Sequence, residues 1–454
     1  MSLLAGVARY ASTVRDLPRN VQLLYASQGL MDVGMMGIAG VVENIFLLRL
    51  GFGAEFIGLA WAASMLGMVV TSVPADEIGS RITMRRAMLI GMSLSALLYC
   101  AYSLAWLLPA EMRGGWILAV SLLKGASFSL IMVNCTPLLM GSCAPGESTH
   151  AFSVLSALAT ASAFVGALLG GLLPGLFARL LGEGAGDAAP YGLSLLVGAA
   201  LFVPGALLLL LTREPSAGGE PARQASEEPA TSFGATPPAA EPSADGRPMM
   251  LIAIMSVVAL LCWLGQGTLI VFWNLYLDEA LSVPTSLIGT LSAISHLVVI
   301  PAALITPLLA RRLGNPRAYA VSILATAACM LPLAWATGWL AAGAGFIIAT
   351  AMLAVAMPAI SVTQQSLVSP RWRGRMSGAT STSATLGLGI AALGGGYAVA
   401  SIGFRPLFLA SAAIILASVV IFWAWFSRRA KEPAVGEIPR QSLDALEGDA
   451  GGAG

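Results

Sequence analysis

Charge is what this sequence has least of. Only 10% of its 454 residues are Asp, Glu, Lys or Arg, against roughly 25% in water-soluble domains. Too few polar side chains remain to cover a surface facing water. The 57% hydrophobic content and mean hydropathy of +0.82 suit hydrocarbon instead. Lysine is nearly missing, with only Lys124 and Lys431 present, and the net charge of +1 offers no field for nucleic acid. Cysteine is sparse as well. Cys100, Cys135, Cys143, Cys262 and Cys329 form no CxxC pair and no metal spacing, which argues against a disulfide framework or a bound metal. No Gly-x-x-x-x-Gly-Lys loop is present to cradle the phosphates of ATP. No haem spacing and no nucleophile with a neighbouring base stand out. The chain is therefore expected to be no enzyme and to carry no cofactor. Residues Met1–Asn20 are polar and hold Arg9, Arg15 and Arg19, so no cleavable leader is expected.

What is there is long apolar runs. About twelve are long enough to span a bilayer, which takes roughly 20 residues. In the first half they lie near Val21–Leu48, Phe56–Ala75, Arg86–Leu108, Trp116–Met140, Thr149–Leu181 and Tyr191–Leu211. In the second they lie near Pro248–Leu277, Leu287–Ala310, Ala318–Ala336, Ala341–Val368, Ser377–Ile402 and Leu407–Phe426. The expected division is an N-terminal segment 1–20, a six-helix unit 21–213, a linker 214–247, a second six-helix unit 248–431 and a tail 432–454. The linker and the tail are rich in Pro, Ala, Gly, Ser and Glu, and bury too little apolar surface to order themselves.

Arginine placement supports the count. In a twelve-span arrangement Arg81, Arg85, Arg86, Arg213, Arg311, Arg312, Arg317, Arg371, Arg373, Arg375, Arg428 and Arg429 all fall on one face. The opposite loops hold only Arg49, Arg113, Arg179 and Arg405. Positive loops stay in the cytoplasm. Both termini and the linker are thus expected inside a plasma (inner) membrane that the chain crosses repeatedly.

The halves repeat. Glu43-Asn44 at the end of the first span answers Trp273-Asn274 at the end of the seventh, Gly37 answers Gly267, and Ile57-Gly58 answers Ile288-Gly289. Pro145-Gly146 answers Pro370 in Pro-Arg-Trp-Arg373-Gly374-Arg375. Between spans two and three runs Ser72-Val-Pro-Ala-Asp76-Glu77-Ile-Gly79-Ser-Arg81-Ile-Thr-Met-Arg85-Arg86, read as one tight basic turn. A second copy, Arg311-Arg312-Leu-Gly314-Asn-Pro-Arg317, follows half a chain later.

These loops resemble the Gly-x-x-x-Asp-Arg-x-Gly-Arg-Arg loop of the major facilitator superfamily, and the likeness covers about Val21 to Arg429. Asp76, Gly79 and Arg81 fit, as do Arg312 and Gly314; Ser72 and Glu77 depart from it. The resemblance is to the bacterial twelve-span type. It implies an all-α membrane protein with twelve transmembrane helices in two pseudo-symmetric six-helix bundles, and a substrate site near midplane between them. It also implies a gating role for Asp76, Gly79, Arg81, Arg85, Arg86, Arg312 and Gly314.

Ionisable side chains in hydrocarbon usually face a cavity and a partner. Asp32 lies eleven residues into the first run, about 16 Å deep at ~1.5 Å per residue. Lys124 lies at comparable depth in the fourth and His296 in the eighth. Since the resemblance places spans one, four and seven around the cavity, Asp32 and Lys124 are expected to meet there. Their changing separation would then switch proton affinity, or the pair would simply fix helix register. His296 is a third proton-coupling candidate. Gln28, Asn44, Gln266, Trp273 and Asn274 are expected to line the cavity or its outer gate, or to bond helices together. Ser162-Ala-Phe-Val-Gly166-Ala167-Leu-Leu-Gly170-Gly171 is similar to the family's antiporter motif, with Ala167 in place of its proline. Its small residues are expected to pack span five, in part against span eight. The drug-exporter pattern calls for arginine at Ser121, which is absent.

The expected function is proton-coupled secondary transport of a small organic molecule, with export preferred. Uptake by symport, lipid flipping and a non-transporting sensor are the alternatives. Expected partners are substrate, protons and membrane lipid, with no nucleic acid and a monomeric protein.

Overall fold

The computed structural model describes residues 18–143, 148–184, 186–213 and 248–429. The linker 214–247, the tail 432–454, nearly all of segment 1–20 and the Pro145-Gly146 turn lie outside the described residues.

Twelve helices are long and apolar enough to cross a membrane. They are α1 Arg19–Arg49, α2 Ala54–Ile82, α3 Met84–Leu107, α4 Ala110–Ser142, α5 Ser148–Leu181 and α6 Ala188–Leu210. The second six are α7 Pro248–Ala280, α8 Thr285–Leu313, α9 Asn315–Trp335, α10 Trp339–Ser366, α11 Pro370–Ile402 and α12 Phe404–Arg429. Helix is the only solution available to an isolated segment in lipid, because it satisfies every backbone N–H and C=O internally. Leucines such as Leu97, Leu172 and Leu304 remain exposed on the outer circumference, where lipid replaces water.

Helices α1–α6 pack mainly on one another, as do α7–α12, and α2·α11 and α5·α8 join the two bundles. The internal repeat is realised at these seams. A methyl group on Gly58 would overlap the Ala392 carbonyl oxygen and sit 3.2 Å from Gly396 Cα. One on Gly289 would sit 2.6 Å from the Ala167 carbonyl oxygen and 2.5 Å from Gly171 Cα. The two contacts are copies of each other, and both require bare backbone to touch bare backbone.

Helix α1 is interrupted by a π-turn, Val33–Ala39, that begins directly after Asp32. Gly34 and Gly37 within it lie flat against Gly198 of α6 and Gly166 of α5. Wide turns of this kind insert a residue and re-aim the helix beyond. A second one, Tyr276–Ala280, ends α7.

The loop after α2 differs from its expected form. Asp76, Glu77, Gly79 and Arg81 all lie inside α2, which runs on to Ile82, and the turn is reduced to Thr83 with φ 84°. Gly79 serves close approach instead, since a methyl group there would strike Oδ1 of Asn134 on α4. In the second copy Gly314 does form the turn, with φ 79°.

Candidate functional site

The site is built around the central helices α1 and α7. Along α1, Ala26, Met36 and Gly40 are exposed, with Leu30 and Val33 half-exposed between them. Their spacing is that of one helical face. Gly40 on this face accepts a hydrogen bond from Asn274 of α7, so the face looks across to the second bundle.

At the end formed by the α1–α2 and α7–α8 turns, taken as outer from the arginine pattern, side-chain contacts join the two bundles. Asn274 Nδ2 donates to the carbonyls of Gly40 (2.5 Å) and Val41 (3.3 Å). Asn44 Nδ2 donates to the carbonyl of Val271 (2.5 Å), and its Oδ1 accepts from Trp61 Nε1 (2.9 Å). Beyond them the Arg49 guanidinium meets Asp278 at 2.7 Å and lies 5.5 Å from the Tyr191 ring. Tyr191 and Thr285 hydroxyls are 3.0 Å apart. The polar contacts named between the bundles thus all gather at this one end.

Just inside the seal, on the first bundle, Lys124 Nζ of α4 lies 2.6 Å from Glu43 Oε1 of α1. The rings of Tyr99 and Tyr102 on α3 flank the ammonium, each with its centroid 4.1 Å away. Lys124 is 5% exposed and the Glu43 side chain 19%. The second bundle has no charge at the matching place. Trp273 stacks on Phe346 of α10 with centroids 4.0 Å apart and planes 6° from parallel. The first bundle is thus ionic at this level and the second aromatic.

The expected meeting of Asp32 with Lys124 does not occur. Asp32 is buried nearer the inner side, beside Gln28 and Cys135, and its carboxylate has no hydrogen bond or ion pair among the described residues. Cys135 stands eleven residues beyond Lys124 along α4, about 16 Å at ~1.5 Å per residue. Lys124 and Asp32 are therefore at different levels, and Glu43 takes the lysine. Glu43 is the functional candidate that sequence reasoning passed over. Its signal was present: a carboxylate at the end of an apolar run, one residue before Asn44.

Gln28 donates to the Cys135 thiol (3.3 Å) and Gln266 to the Cys262 thiol (2.9 Å). Their carbonyl oxygens, and the indole N–H of Trp273, are buried without a partner among the described residues. Buried polar atoms of this kind ordinarily have partners. His296 is half-buried on α8 and forms no ion pair with Asp32 or Lys124 among the described residues.

The glycines of the α5 motif divide their work. Gly171 faces Gly289 of α8, but Gly166 and Gly170 face Gly37, Ile38 and Val41 of α1. Ala167 in the proline's place leaves the α5 backbone unbroken there.

The residues expected to gate make their named contacts within the first bundle or none at all. Asp76, Arg86 and Arg312 are exposed, and Arg81 pairs with Glu77 one turn before it. Arg85 instead caps the last carbonyls of α6, Leu209 and Leu210.

Two bundles of six membrane helices define a polytopic membrane protein of the transporter type. The model of the Major Facilitator Superfamily matches residues 24–387 and, again, 255–445, and the chain belongs to that family. Among solved structures, a point mutant of the nucleoside transporter NupG is 14% identical with a TM-score of 0.67, covering 90% of this chain and 99% of that one. A bacterial homologue of the human lysosomal transporter Spinster, inward-facing and occupied, is 14% identical with a TM-score of 0.63, covering 89% and 95%. A bacterial homologue of the iron transporter ferroportin, inward-facing, is 18% identical with a TM-score of 0.63, covering 90% and 98%. No curated protein matches the sequence. At these identities the structural likeness speaks for the fold alone.

Proposed function

We propose that the protein is a proton-coupled secondary transporter of a small organic molecule, working by alternating access, with export in exchange for protons favoured over uptake. The observation that carries this reading is Asp32, a carboxylate buried in a membrane helix without a partner among the described residues, directly before a π-turn. A charge so placed is costly unless it gains and loses a proton or meets a ligand. The contacts of Asn44 and Asn274 across the bundles support the second requirement, a site closed to one side at a time. Asp32 takes and releases the proton, and Lys124 with Glu43 meets the substrate. His296, Gln28, Gln266 and Trp273 line the route, and the Asp76 and Arg312 loops close the inner side in the alternate state. On this reading the arginine-rich side is cytoplasmic by the positive-inside rule, both termini lie on it, and the protein works as a monomer in the plasma membrane. Helix-to-helix glycines of α5 like those of antiporters favour export.

The test is growth of an efflux-deficient bacterium expressing the wild type or Asp32→Asn at matched protein levels, across dyes, antibiotics and metabolite analogues. Resistance that disappears in the mutant is expected. Wild-type sensitisation to an analogue would reverse the direction, and equal resistance in both would remove Asp32 from the mechanism.

A further inference from the structure

Lys124 sits in surroundings built for a cation rather than for lysine in particular. Two tyrosine faces at 4.1 Å and a carboxylate at 2.6 Å surround its ammonium. Aromatic faces backed by negative charge are a recurrent way of recognising alkylammonium groups. The lysine reaches this box from α4, on a flexible four-carbon stem, while the box itself belongs to α1 and α3. Glu43 is the more exposed partner, 19% against 5%. It stands next to Asn44 of the outer seal, at the closed end of the cleft.

We propose that Glu43, Tyr99 and Tyr102 form a binding site for organic cations of the alkylammonium class, which Lys124 fills as a tethered substitute while no substrate is bound. The assignment rests on the transporter reading and names its substrate class. Glu43 of α1, Lys124 of α4, and Tyr99 and Tyr102 of α3 are the titratable groups of the box. One carboxylate balances one cation. A bound substrate cation therefore displaces Lys124 as the neutral amine, and the lysine proton leaves to the water of the cleft. Aromatic Trp273 and Phe346 on the facing wall suit a substrate whose remainder is apolar and planar.

The experiment is binding to the full chain in nanodiscs, read by calorimetry, with tetramethylammonium, phenyltrimethylammonium and tetraphenylphosphonium as probes. The alcohol 3,3-dimethylbutanol serves as a neutral control. Lys124→Met removes the competitor and is expected to tighten binding of at least one probe roughly tenfold, because a tethered occupant lowers apparent affinity by the fraction of open sites. Glu43→Gln is expected to weaken binding by roughly tenfold or more. Tyr99→Phe keeps a ring and is expected to keep affinity, whereas Tyr99→Leu loses it. Lys124→Gln, which retains a donor for Glu43, stands in if Lys124→Met fails to fold. The double variant Glu43→Gln/Lys124→Met removes both charges and is expected to fold without binding cations.

Opposite signs for the Lys124 and Glu43 variants support the site. Equal weakening in both, equal binding of the neutral alcohol, or no probe bound by either Lys124 variant overturns it. Binding is measured without transport, so the two readings fail separately. Cation binding without pH-driven flux sinks the coupled-transport reading alone. Proton-coupled flux of neutral or anionic solutes with no cation binding sinks the cation site alone.

Discussion

Asn44 and Asn274 hold each other's helices across the cleft. Each gives its side-chain amide to a backbone carbonyl of the opposite bundle, Val271 for Asn44 and Gly40 for Asn274, both at 2.5 Å. They are equivalent residues of the two halves, so the seal is two-fold symmetric. A net hydrogen bond is worth about 1 kcal/mol. Asn274→Ala removes two, and is expected to raise the outer-open population roughly five- to thirty-fold. A cysteine placed at Val41, 1% exposed in this state, reports the shift. It should react faster with an impermeant maleimide added outside when Asn274 is Ala. An unchanged rate would show that the seal lies elsewhere.

The Glu43–Lys124 pair predicts a distinctive stability cycle. Removing one partner of a buried pair strands the other charge and costs about 3–5 kcal/mol, whereas removing both is close to neutral. Glu43→Gln and Lys124→Met are each expected to lower the melting temperature, and the double variant to restore most of the loss. Additive losses in thermal unfolding would mean that the two side chains act separately.

Thr83 and Gly314 occupy equivalent turns with nearly the same backbone, φ 84° and ψ 143° against φ 79° and ψ 153°. That region is strained for any residue with a Cβ, by about 1–3 kcal/mol. Thr83→Gly is expected to raise the melting temperature and Gly314→Thr to lower it. A lower melting temperature for Thr83→Gly would show that contacts of the threonine side chain outweigh the strain.

The seam glycines make a paired prediction. Gly58→Val and Gly289→Val each push a side chain into backbone of the other bundle, at Ala392 and at Ala167 and Gly171. Both variants are expected to insert normally, fail to close outside and lose transport to a similar degree. A strong effect at one position with none at the other would contradict the symmetric closure.

Much of the fold was legible because membrane folding leaves coarse marks. Apolar runs and one-sided arginines gave the helix count, and Gly58 answering Gly289 gave the repeat that became the two seams. The pairing of Lys124 was not legible. Depth along a helix is easily read, but facing depends on local winding, and the π-turn after Asp32 re-aims everything beyond it, Glu43 included. The loop after α2 misled for a related reason. Asp76, Gly79 and Arg81 read as a turn by their chemistry, while the adjoining helix α4 offered Gly79 a better use against Asn134. Arg49 likewise read as a topological charge, and only the placement of α7 shows Asp278 beside it.

Proton coupling through Asp32 is the centre of the account, and it is tested most directly in proteoliposomes. A compound to which the wild type confers resistance is loaded, and its flux is followed with and without an imposed pH gradient. Wild type should move it against its concentration gradient when the pH gradient is present. Asp32→Asn should still exchange labelled for unlabelled compound at equal concentrations, but show no acceleration by the pH gradient. Gradient-driven flux in Asp32→Asn equal to that of the wild type would contradict the account.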